Sequence, residues 1–317
     1  MTIQQLLKTA PVTTLLLVSF IGLFIMQVLT GVDANNPSTA ALLKWGANAL
    51  PYTMGDEPWR LISSGFLHIG LMHLLFNGFA MYFFGQIAEP MFGSAKFLAL
   101  FLLAAIGGSL LNNHITWQGI LEGTGQPGLS AGASGGIMGI GAALLIAAFF
   151  KISVNGMVLN LKSLILIMGI NLVYGFAVPG IDNAGHIGGA LTGLVIALGI
   201  GIAHRQKLAA QQPASVSYQT DYANYRTNGN IYAETDRHIP VNSPINTDVN
   251  TTVNTIDGNG TDSHTVSYIV PVPTTTVTPA IIWQLLPWII MLLISAGFVW
   301  WWQDIHNQIL QVLNAVN

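Results

Sequence analysis

No cysteine occurs in the 317 residues, so disulfides and thiolate metal sites are excluded. Charge is scarce. Asp, Glu, Lys and Arg together make up 7% of the chain, where a soluble globular domain carries roughly 25%. There is no basic block of the kind nucleic acid requires, so no nucleic-acid partner is expected, and the formal net charge of −3 selects no other. No His-Glu-x-x-His run is present, so the histidines do not read as a zinc site. What the chain has in abundance is apolar: 52% of its residues are hydrophobic and the mean hydropathy is +0.57. That balance indicates an all-α polytopic membrane protein whose main partner is the lipid bilayer.

A helix crossing the bilayer core needs about 20 mainly apolar residues. Seven stretches meet this need: 13–31, 66–85, 95–112, 133–150, 160–178, 184–203 and 281–302. The first follows Lys8, is too long for a signal-peptide core, and reads as a retained span. Trp288, Trp300, Trp301 and Trp302 bracket the seventh, as aromatic belts do at membrane interfaces. With the N-terminus inside, Lys8, Lys96, Lys151, Lys162, Arg205 and Lys207 are cytoplasmic, and only Lys44 and Arg60 fall outside, as the positive-inside rule favours. Residues 206–280 are rich in Asn, Thr, Ser and Pro and read as a disordered cytoplasmic linker. The expected division is therefore a six-helix unit over 1–205, the linker over 206–280, and a seventh helix with a short tail over 281–317. The loop 32–65 carries Trp45 and Trp59 and is expected to lie in the outer interface.

Polar side chains at bilayer depth are costly and usually line a cavity or a protein seam. Ser134 stands in Gly132-Ala133-Ser134-Gly135-Gly136, at the mouth of the fourth span. His186 stands in Ala184-Gly185-His186-Ile187-Gly188-Gly189, at the mouth of the sixth. The topology brings both to the same depth, near the outer face. A serine hydroxyl is a weak nucleophile that needs a base. His186 shares a helix face with Gly189 and Gly193, a small-xxx-small pair that marks a close helix contact. His73 and Asn77 lie one turn apart on the second span and offer donors for a developing oxyanion, to which the Ser134 N–H can add. His68 lies off that face and reads as structural.

Each feature has a plainer reading: a glycine-rich packing helix, a histidine in a polar seam, an asparagine as interhelical glue. Gly-x-Ser-x-Gly occurs at 128–132 and 132–136, without the βαβ context of a soluble hydrolase elbow. Asp182, one turn before His186, is set aside as an orienting acid because the rim of the sixth span is expected to be solvent-exposed.

Together these residues resemble the rhomboid family of intramembrane serine proteases, over about residues 10–203. Trp59-Arg60 is similar to the family's Trp-Arg of the first outer loop. His68, His73 and Asn77 resemble its span-2 pattern, Gly132-Ala133-Ser134-Gly135 its nucleophile motif, and His186 with Gly189 and Gly193 its His-x-x-Gly-x-x-x-Gly motif. The resemblance implies a six-helix rhomboid-like bundle plus an extra C-terminal transmembrane helix. It implies Ser134 as nucleophile, His186 as base and acid, and His73, Asn77 and the Ser134 N–H as the oxyanion site. Gly132 would allow close approach beside the serine, and Arg60 and Glu89 would be structural. The substrates would be transmembrane-helix proteins of a bacterial cytoplasmic membrane, cut near the outer face, with no metal or cofactor. Where some members have Tyr four residues after the nucleophile, this chain has Met138, and where some have Ala before the histidine it has Gly185. Two rivals remain: a non-catalytic binder of client helices on the same fold, and a transporter, which predicts internal repeats that the chain does not show convincingly.

Overall fold

The structure is a computed structural model that describes residues 3–126, 128–153, 159–177, 180–211 and 280–316, together with short strands between 217 and 269. Each of the seven expected spans contains a helix, the second of them shifted along the chain and residue 178 of the fifth lying outside the described residues. The helices are α1 (Pro11–Leu29), α2 (Leu71–Phe92), α3 (Ser94–Leu121), α4 (Ser134–Phe149), α5 (Leu161–Ala177), α6 (Asn183–Gln211) and α7 (Ile281–Val316). Five of these, α1, α2, α3, α6 and α7, are long and apolar enough to cross a membrane. The chain is a multi-pass membrane protein.

α4 and α5 are shorter, and α4 organises the rest. Its 16 residues reach only about 24 Å, short of a bilayer core of about 30 Å. It tolerates this because it is interior: every residue from Gly136 to Leu144 is buried. It packs against α2, α3 and α5, and Ile137, Ile140, Ala143 and Leu144 join Phe20, Met81, Phe97 and Phe101 in one core. Irregular backbone can therefore lead down to Ser134 at depth, since protein and not lipid surrounds it.

Polar groups tie the helix ends. Pro11 starts α1, and the buried Glu89 carboxylate of α2 accepts from Val12 N–H (2.9 Å), Thr13 N–H (2.7 Å), the Thr13 hydroxyl (2.8 Å) and the Ser94 hydroxyl (2.6 Å). A carboxylate on a helix N-terminus satisfies orphan N–H groups and the helix dipole together. The loop 32–65 is built from short helices at Thr39–Trp45, Leu50–Thr53 and Arg60–Ser63. Between the first two, β1 (Asn48–Ala49) pairs antiparallel with β2 (Leu129–Ser130), the strand that leads into Ser134.

Met1–Gln206 with Ala280–Asn317 forms one compact unit and Lys207–Pro279 a second. The expectation of a disordered linker falls largely outside the described residues. Within that unit, Ser217–Tyr222 pairs antiparallel with His264–Ile269, and Tyr225–Thr227 with Asn230–Tyr232.

Candidate active site

Ser134 is the first residue of α4. The first intrahelical bond runs from Ile137 N–H to the Ala133 carbonyl (3.0 Å), so the N–H groups of Ser134, Gly135 and Gly136 have no partner within the helix. Two residues earlier the chain bends through Gly132, with φ +148°, and its N–H donates to the Ser64 carbonyl (2.9 Å). A Cβ on Gly132 would lie 2.5 Å from His73 Cε1 and 2.9 Å from His73 Nε2. Only glycine admits both the backbone angle and the imidazole.

His73 therefore sits beside the turn that carries the serine. Its Nδ1 accepts from Ile69 N–H at 3.4 Å, which leaves the ring proton on Nε2, the nitrogen nearest Gly132. Asn77 is buried and gives one amide N–H to the His73 carbonyl (3.1 Å), keeping a second for another acceptor. His68 is buried behind them, its ring 5.4 Å from His73 edge-on and 5.2 Å from Phe20, with no hydrogen-bond partner on either nitrogen. It is a packing support for His73.

Glycine–glycine contacts place α6 against α4. A Cβ on Gly135 would lie 3.3 Å from the Gly185 carbonyl, and one on Gly139 would lie 2.9 Å from the Gly189 carbonyl. On Gly189 it would strike the Gly135 carbonyl, and on Gly193 the Gly139 carbonyl. Contacts climb both helices together, so α4 and α6 run parallel. The same register sets Ser134 opposite the Gly185–His186 step. Among the described residues no hydrogen bond joins Ser134 to His186, and His186 Nδ1 is buried without a partner. Apo sites often hold such bonds long until substrate closes them.

A cavity of about 30 Å³ lies beside the serine, room for about a water molecule. Ser134 and Gly135 line it, with Ser64, Ser109, Ser130 and Asp182 supplying polar groups. Asp182 is not the free rim carboxylate expected from sequence. It caps α6, accepting from Gly185 N–H (2.7 Å) and from Asn112 Nδ2 (2.9 Å). A Cβ on Gly185 would run into that carboxylate, which explains glycine before the histidine.

Arg60 does not line the cavity beside the serine and braces the loop 32–65. It pairs with Glu57, donates from Nη1 to the carbonyls of Leu43 (2.7 Å) and Ala47 (3.0 Å), and lies over the rings of Trp59 and Tyr52. Glu89 is at the α1 terminus described above. Met138 is buried in α4. Sequence reasoning did not single out Asn48, Asn112, Ser64 or Ser109. Their signal was only polarity in or beside apolar helices.

The model of the rhomboid domain matches residues 55–202. The chain is 38% identical over 186 residues to the rhomboid protease GluP of Bacillus subtilis, covering 58% of this chain and 34% of that protein. It is 32% identical over 179 residues to RHOMBOID-like protein 4 of Arabidopsis thaliana, covering 56% and 43%. It is 31% identical over 185 residues to the rhomboid protease AarA of Providencia stuartii, covering 53% and 65%. The chain thus spans less than two thirds of the length of each of these relatives.

Proposed function

The chain belongs to the rhomboid family, and on that premise we propose that it is an intramembrane serine endopeptidase acting on transmembrane-helix substrates. The observation that carries this reading is the α4–α6 seam. It sets a helix-terminal serine opposite a half-buried histidine, with histidine and asparagine donors on the adjoining helix.

His186 takes the Ser134 proton as the hydroxyl attacks the scissile carbonyl. The oxyanion forms against His73 Nε2–H, the second Asn77 amide hydrogen and the Ser134 N–H, which has no helical partner. His186 then protonates the leaving amine, and a water, reaching the serine from the outer face, releases the acyl-enzyme. The substrate helix must unwind locally, because a helical peptide bond is shielded by its own hydrogen bonds. The site faces the outside of a bacterial cytoplasmic membrane, with the N-terminus within.

One observation favours a non-catalytic binder of client helices: the missing Ser134–His186 hydrogen bond. Both readings are separated by the purified protein in liposomes with a transmembrane reporter substrate. Ser134→Ala is expected to abolish cleavage and keep the wild-type melting temperature. Cleavage retained in a clean Ser134→Ala preparation would remove Ser134 as nucleophile. A folded wild type that cleaves no offered helix, yet binds one, would establish the binder.

A further inference from the structure

Both halves of the candidate dyad hang from one buried outer-loop residue, Asn48, which is 0% exposed. Its Nδ2 donates to Ser130 Oγ (3.0 Å), on the strand that runs into Gly132 and Ser134. The same Nδ2 reaches Asn112 Oδ1 (3.4 Å), and its Oδ1 accepts from Asn113 Nδ2 (2.8 Å), both on α3. Asn112 in turn donates to Asp182, and Asp182 holds Gly185 N–H beside His186. The β1–β2 pairing adds backbone bonds between the Asn48 segment and the serine's lead-in strand.

The outer end of α7 grips the segment that follows Asn48. Trp302 Nε1 donates to the Thr53 carbonyl (2.8 Å) and His306 Nδ1 to the Met54 carbonyl (2.6 Å). The two rings stack, 4.9 Å apart and 12° from parallel. Thr53 closes the turn by accepting Ala49 N–H on its hydroxyl (3.1 Å). Ile305 is fully buried with Leu50, Met54 and Trp117, and Trp117 donates to Gln308 Oε1 (3.0 Å). These polar contacts are specific in direction, which lipid-facing packing of an accessory helix does not require.

We propose that the seventh helix is a working part of the active site: Trp302 and His306 clamp the 50–54 turn so that Asn48 holds the strand leading to Ser134 and, through Asn112 and Asp182, the His186 turn in register. Asn48, Asn112 and Asp182 are positioning residues that act through the backbone at Ser134 and Gly185. This rests on the proposed Ser134/His186 chemistry for its effect on rate, but not for its effect on structure.

The test uses the full chain in detergent and two readouts. Hydrogen–deuterium exchange is followed in wild type and in the double variant W302F/H306A. Exchange should quicken at 48–54 and at 183–186 while α5 stays unchanged. Unchanged exchange at 183–186 overturns the proposal, whether or not the protein is active. Fluorophosphonate labelling of Ser134 is the second readout. The double variant and Asp182→Ala should label about tenfold more slowly, the scale of a lost helix cap, whereas Asp182→Asn, which keeps an acceptor for Gly185 N–H, should recover most of the rate. Wild-type labelling with all three variants equally fast overturns the positioning role and leaves the nucleophile intact. An unlabelled wild type speaks against the nucleophile, and the exchange result then decides the clamp alone.

Discussion

Gly132 shows how narrowly single residues determine this site. Its φ of +148° and the imidazole against its Cα each exclude a side chain. Gly132→Ala is expected to displace His73 and lower labelling of Ser134 by about 5- to 150-fold, since strain of about 1–3 kcal/mol falls directly on the nucleophile turn. A melting curve close to wild type would show that the loss is local. Loss of Asn77 removes one donor, and Asn77→Ala should lower the cleavage rate by about 10²–10³ with little change in substrate binding. Glu89 behaves differently. Glu89→Gln puts an NH2 among four donors, which should cost about 1–3 kcal/mol in thermal stability without touching the chemistry. At this scale Ser134, His186, His73, Asn77 and Gly132 were legible in the sequence, because glycine spacing and helical turns mark them. Asn48 and Asn112 were not, and Asp182 was visible but set aside as solvent-exposed. Their bonds join residues 64 and 70 positions apart, and no local pattern encodes such a pairing.

Among the elements, the α4–α6 seam carries the arrangement. Backbone meets backbone at Gly135, Gly139, Gly189 and Gly193, so any side chain there forces the helices apart. Gly193→Leu should separate Ser134 from His186, abolish labelling, and destabilise the fold by about 1–3 kcal/mol, read from the melting temperature. Helix existence was legible from hydropathy, but helix ends were not. α3 runs on through Asn112, Asn113 and His114 to Leu121, and α7 through Gln303, Asp304 and His306 to Val316. Apolar windows stop where polar residues begin, yet those polar residues continue the helices and make the contacts that frame the site. The two-residue strands at 48–49 and 129–130 are too short to leave any alternation in sequence.

The whole molecule has an advantage for study that its composition supplies. With no cysteine, each introduced one is unique. Both Glu122 and Lys151 are exposed at loops on opposite sides of the expected topology. In intact cells Glu122→Cys should react with an impermeant maleimide, and Lys151→Cys should react only after permeabilisation. The reverse pattern would invert the orientation and put the site on the cytoplasmic side. Seven apolar runs were readable from the sequence, and a helix stands in each of them. That the seventh helix contacts the outer loop was not, because its contact residues, Trp302 and His306, read in sequence only as an interfacial belt and a polar tail.

The claim on which the rest depends is that Ser134 is activated by His186. The most direct measurement is labelling of the detergent-solubilised protein with a fluorophosphonate, comparing wild type, Ser134→Ala and His186→Ala. Labelling of the wild type alone is the expected result. A folded wild type that does not label, or a His186→Ala variant that labels at the wild-type rate, would contradict it.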